Sequence, residues 1–169
     1  MAGHLVGRGA RGRGSQARPP TSPRITPRRC LDTAWAMSEN LDLVRSIFAD
    51  WERGNYRSVE WAHPEIEYIN VDGPDRGSRV GLTEMAEGWR RLLHVWSEFR
   101  TRAEEYVELD DCRVLVLAVY GGTPRFIGLD IREGRSKGAD VFEIEDGKVR
   151  KLTLYWDRDR ALADLGIKE

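Results

Sequence analysis

The sequence predicts an α+β fold in which a strongly curved antiparallel or mixed sheet packs on three N-terminal helices, forming a cone with an apolar interior. Three observations predict it. Apolar residues recur at helical spacing early in the chain, at Leu41, Val44, Phe48 and Trp51, and again at Met85, Trp89, Leu92, Leu93 and Trp96. Alternation of period two marks most of the remainder, which places an antiparallel sheet behind the helices. Two such alternating runs meet at Asp146-Gly147, a dipeptide whose tolerance of positive φ makes it a strong hairpin signal.

Residues 1–36 are rich in Arg, Gly, Pro and Ser and hold seven arginines against one acid, Asp32. They carry too little apolar surface to offset the entropy of ordering, so they read as a disordered leader upstream of a start at Met37. The domain proper is then 37–169. Ser38 is expected to cap the first helix and Gly54 to end it. A shorter helical piece is expected over 57–62, stopping before His63-Pro64 because the residue before proline is pushed out of the α region. In the strand that follows, Ile66, Tyr68 and Asn70 share one face. A loop over 72–81 contains a short strand at 78–80, and Thr83 is expected to cap the third helix. Strands follow at 99–108 and 113–120, the second apolar on both faces and therefore central and doubly covered. Residues 121–137 are ambiguous, with a strand start at Phe126, Leu129 and Ile131. The hairpin spans 138–157, and Asp157 caps a last short helix closed by Gly166.

Composition narrows the function classes. Of the 169 residues, 27 are basic and 28 acidic; outside the leader 20 basic and 27 acidic residues remain. An acidic domain argues against nucleic acid as a partner. The longest apolar run, 114–120, is too short to span a bilayer, which argues against a membrane. The two cysteines, Cys30 and Cys112, show no disulfide framework or zinc spacing, and this usage suits a reducing, cytoplasmic setting. No Asp/Glu/His cluster has metal-ligand spacing, and no cofactor is called for.

One residue poses the functional question. Asp140 lies on the same strand parity as Phe142 and Ile144, so a carboxylate points with the apolar face. A buried acid must be hydrogen-bonded, shifted in pKa or functional. The competing structural reading is an acid satisfied by a buried arginine, tyrosine or tryptophan. Trp89, Trp96 and Trp156 could line a pocket for a flat ligand. His63 and His94 read as loop, packing or surface residues.

Several stretches carry a family resemblance: W-E-R-G-N-Y, H-P-E-I-E-Y, R-V-G-L-T-E-M-A-E-G-W, F-E-I-E-D-G-K-V and D-R-D-R-A-L-A-D-L-G. Over residues 38–167 the chain resembles SnoaL-like members of the nuclear transport factor 2 superfamily, which implies a cystatin-like cone and a ligand pocket inside it. Ketosteroid isomerases of that superfamily use a helix-1 tyrosine, a strand acid and a second, proton-shuttling acid; Ile47, Asp140 and Asn70 stand at those positions. Limonene-type epoxide hydrolases carry a Tyr-X-Asn pair, matched by Tyr68-Ile69-Asn70, but their Asp-Arg-Asp triad has no counterpart. SnoaL-type cyclases lean on a single aspartate, and this is the chemistry the resemblance best supports. Asp140 would be the acid/base, its pKa raised by desolvation, while Tyr68 and Asn70 could donate hydrogen bonds to an enolate. Phe142, Trp89 and Trp156 would complete the substrate site. The expected partners are a small hydrophobic molecule and a second copy of the chain, since both faces of the last strand carry apolar residues. A non-catalytic ligand-binding or dimerisation domain is the alternative.

Overall fold

The computed structural model of the chain describes residues 34–125 and 135–168. The leader reading, apart from residues 34–36, and the strand start at Phe126, Leu129 and Ile131 lie outside them. The order is α1 (Ala34–Glu52), β1 (Ala62–Asn70), β2 (Gly77–Val80), α2 (Leu82–His94), β3 (Trp96–Glu108), β4 (Arg113–Pro124), β5 (Arg135–Glu145), β6 (Lys148–Tyr155) and α3 (Arg158–Leu165). The six strands form one sheet in the order β2-β1-β6-β5-β4-β3. All neighbours are antiparallel except β1 and β6, which run parallel, so the sheet is mixed.

The α+β class stands, with a different distribution of helices. The three helices among the described residues are two early ones and the C-terminal α3. The piece expected over 57–62 is a loop over 57–61, and Ala62 opens β1. Six residues are too few to offset helix nucleation, and Trp61 instead donates its indole N–H to the Ser58 carbonyl at 2.8 Å. Two expected caps are also corrected. Ser38 lies inside α1, which begins at Ala34. Thr83 lies inside α2, whose N-cap is Gly81 with φ of 94° and no side-chain cap. Trp96 opens β3 instead of extending the α2 stripe. Cys112 is disulfide-bonded, where the sequence suggests no disulfide framework.

Other expectations match. Asp146 and Gly147 form the hairpin turn with φ of 51° and 73°. Asp157 accepts from the backbone N–H groups of Asp159 and Arg160, and Gly166 closes α3 in the left-handed region. Strand parity assigns β1 correctly, since Ile66, Tyr68 and Asn70 are buried.

The sheet is packed on both faces. Its inner face carries Val116, Ala118, Tyr120, Phe142, Leu152 and Leu154 against Phe48 and Trp51 of α1 and Trp89 and Leu92 of α2. Its outer face carries Leu115, Ala139, Val141 and Tyr155 against Ala161 and Leu162 of α3. β4 contributes to both clusters, as its run of apolar residues predicts. Among the described residues no helix is long and apolar enough to cross a membrane.

Candidate functional site

The inner face has one acid at its centre. Asp140 of β5 is 1% exposed, and its parity with Phe142 and Ile144 turns it inward. Across the β4–β5 ladder it opposes Val116, while Ala118 opposes Gly138 and Tyr120 opposes Ser136. Tyr120 therefore starts four residues further along β4 on the same face, about 13 Å along the strand. Its ring leans back over Gly138, where a Cβ would meet the Tyr120 ring at 2.2 Å and the Tyr155 carbonyl oxygen at 2.3 Å. The missing side chain lets the phenol reach Asp140, and Tyr120 Oη donates to Asp140 Oδ1 at 2.7 Å.

The second oxygen, Asp140 Oδ2, is buried and has no hydrogen-bond partner. Removal from water pushes the carboxyl from its ordinary 3.8 up to about 7, against the downward pull of the Tyr120 hydrogen bond. Burial and the nearby Asp140 charge together push the Tyr120 hydroxyl well above its ordinary range. Near neutral pH Tyr120 thus keeps its proton and donates to Oδ1, while the Asp140 carboxyl is poised between its neutral and ionised forms.

Asp140 borders a cavity lined by Trp51, Trp89, Leu92, Phe99, Thr101, Tyr120, Leu154 and Trp156. The cavity is about 10 Å³, room for about one water molecule. Thr101 Oγ1 and Trp156 Nε1 are buried without partners as well. Asp140 and Tyr120 are the titratable residues of the lining. Trp156 is held from two sides. Its backbone N–H donates to Asp72 Oδ1 at 2.5 Å, and Gly73, with φ of +74°, lies so close that a Cβ would meet the indole at 2.4 Å. Trp156 stacks in parallel on Trp96 with centroids 6.0 Å apart, and it tilts against Tyr120 at 5.1 Å.

Of the residues expected from the sequence, Asp140, Trp89 and Trp156 meet at this cavity, and Tyr68, Asn70 and Phe142 lie outside its lining. Asn70 and Asp140 both oppose Leu154, from β1 and β5 respectively, so β6 separates them by two strand spacings, about 10 Å. The Asn70 amide donates to the Pro74 carbonyl at 2.8 Å and shapes the loop that carries Asp72 and Gly73. Tyr68 is 1% exposed. Its hydroxyl lacks a partner, and burial first, then the Asp140 charge, raises its pKa. Phe142 packs on Phe48 and Trp51 in the core, with centroids 6.1 and 6.0 Å away. Tyr120 and Thr101 are the polar lining residues that the sequence reading missed. Tyr120 shares its parity with Val114, Val116 and Ala118, but only the strand register brings it to Asp140.

The fold has relatives. A protein-family model described as SnoaL-like domain matches residues 44–152. A nuclear transport factor 2-like protein of unknown function from Burkholderia pseudomallei is similar in structure, with a TM-score of 0.60, 19% identity and coverage of 74% of this chain and 95% of that one. A Xanthomonas campestris protein named as a candidate polyketide cyclase has a TM-score of 0.57 and 18% identity over 76% of this chain and 97% of its own. TerC, co-crystallised with polyporic acid, has a TM-score of 0.56 and 18% identity over 75% of this chain and 97% of its own. At these identities the likeness establishes the shared fold. No curated protein sequence matches significantly.

Proposed function

The chain belongs to the SnoaL-like domain family, and from that premise we propose that it binds a small apolar molecule against Asp140, which moves a proton to or from that molecule. The observation that carries this reading is the state of Asp140: buried, paired with a neutral phenol through one oxygen, unpartnered at the other, and with a pKa near 7. A carboxyl whose pKa lies near the working pH is suited to both giving and taking a proton. Among the described residues no cation pairs with it, so only the Tyr120 hydrogen bond favours the ionised form, and burial outweighs it. The substrate class is an apolar carbonyl compound, in which Asp140 removes an α-hydrogen and the aromatic lining packs against the carbon skeleton. One acid and no second base at the cavity suits chemistry that needs a single proton shuttle, such as enolisation or an intramolecular aldol closure of the cyclase type. The candidate cyclase and TerC among the structural relatives are consistent with cyclic, unsaturated ligands.

The test uses 2-tetralone in D₂O, with α-hydrogen exchange followed by proton NMR. The expected result is exchange above the buffer rate in the wild type and a return to that rate in Asp140→Asn. Equal rates in the two proteins would remove the catalytic part of the proposal. Polyporic acid and 2-tetralone should each raise the melting temperature, and if neither does, ligand binding at this cavity falls too.

A second reading is a domain that binds a ligand, or pairs with a second copy of itself, without turnover. The cavity of about 10 Å³ favours the self-pairing form of it, because any molecule of several rings needs the aromatic wall to move first.

A further inference from the structure

Trp89 borders a second and much larger space. A groove of about 460 Å³ lies between loop 53–61 and α2, walled by Tyr56, Val59, Trp61, Met85, Trp89 and Leu93. That volume is within the range of small-molecule sites. Among the described residues its charged lining is Arg57 and Arg90, with no carboxylate. Both arginines are exposed. Among the described residues neither makes an ion pair, whereas Arg53, Arg79, Arg91, Arg113 and Arg158 are each set against an acid. Two guanidinium groups that make no ion pair among the described residues place positive charge on the lining of an apolar groove. The groove also holds an unmet donor, since the Tyr56 hydroxyl is buried with no hydrogen-bond partner.

The Tyr56 ring stacks on Trp89 with centroids 5.7 Å apart, and Trp89 in turn packs on Trp51 at 5.1 Å. Trp51 and Trp89 both line the Asp140 cavity. The same indole is thus a wall of the groove and of the cavity.

We propose that the groove is the outer half of the ligand site, built for a flat apolar molecule that carries an anionic group, a carboxylate or an acidic enol. Arg57 and Arg90 hold the anion, Trp61 and Trp89 pack on the rings, and Trp89 is the partition through which the apolar end reaches Asp140. This rests on the reading of Asp140 as the acid/base of an apolar ligand. The chemistry fits the side chains: a planar guanidinium matches a carboxylate with two parallel hydrogen bonds. A neutral ligand of the same shape gains the apolar contacts and forgoes the rest.

The probe pair is 2-naphthoate and its neutral counterpart 2-naphthamide, titrated calorimetrically at low ionic strength against wild type and Arg57→Gln/Arg90→Gln. The expected result is a preference for naphthoate of at least about tenfold in the wild type, lost in the double variant. Naphthamide affinity and melting temperature should be unchanged there, because both side chains are exposed. Equal affinity for the two probes in the wild type, or a preference that survives the double variant, overturns the proposal. Asp140→Asn, measured alongside, keeps the naphthoate preference whether or not it stops 2-tetralone exchange, so failure of the groove and failure of the proton-transfer reading are told apart. A preference that disappears with Asp140→Asn and persists in the arginine variant also overturns it.

Discussion

On the outer face of the sheet, Arg158 at the start of α3 donates to the carbonyls of Gly138 and Ala118, at 3.3 and 3.0 Å, and to Glu104 Oε2 at 2.8 Å. On the inner face, over the same two residues, Tyr120 spends its one donor on Asp140, and Asp140 Oδ2, Thr101 Oγ1 and Trp156 Nε1 have no partner. The outer face thus uses a charged side chain to satisfy the sheet, and the inner face leaves polar atoms unmet around a cavity. A buried unpaired acceptor costs free energy that a purely structural site would avoid. The contrast separates a face whose strand carbonyls are met by a charged side chain from a face whose polar atoms border a cavity.

The largest expected effect comes from Asp140 and depends on pH. Its folded pKa of about 7 lies above the ordinary 3.8, so between these values the native state keeps a proton that the unfolded chain has released. Stability therefore falls as pH rises from about 4 to about 7, by up to about 4 kcal/mol for a shift of about three units, and is flat on either side. Asp140→Asn removes that slope, and urea midpoints at pH 4 and pH 8 measure it. A variant whose slope equals that of the wild type would break the contrast, because the acid would then be no worse off ionised inside the fold than outside it.

Gly138→Ala is expected to cost about 3 kcal/mol, since a methyl group there meets both the Tyr120 ring and the Tyr155 carbonyl. The backbone at this position has no positive φ, so the loss is steric and tests whether the two faces share one crowded crossing. A urea midpoint within error of the wild type would show that the tyrosine has room elsewhere. The smallest effect is that of Arg158→Met, about 1–2 kcal/mol from carbonyls left with fewer donors. It should be constant between about pH 6 and pH 7, where Asp140 still contributes a slope, and that difference sharpens the comparison.

Much of the molecule was legible in local patterns. The α1 stripe, the Asp146-Gly147 turn, the Asp157 cap and the inward parity of Tyr68, Asn70 and Asp140 all follow from spacing over fewer than about ten residues. The misreadings arose where a local signal had a non-local competitor. Residues 57–62 have a helical pattern, but Trp61 gains more from the core and the Ser58 carbonyl than a single turn could offer. Trp96 continues the α2 spacing, yet it pairs with Pro124 in the sheet. Asn70 faces inward as its parity requires, and its amide turns to the 71–76 loop because the Pro74 carbonyl is within 2.8 Å.

The sequence by itself determined that an acid would sit on the apolar face of β5, because side-chain direction along a strand has a period of two and needs no knowledge of the neighbours. Only the tertiary structure decided what that acid is. The register that sets Val116 against Asp140 and Ala118 against Gly138 brings a phenol to one carboxyl oxygen. The loop that grips Trp156 closes the wall beside the other. Register is fixed by the packing of whole faces, and a pKa near 7 is fixed by how completely that packing removes water.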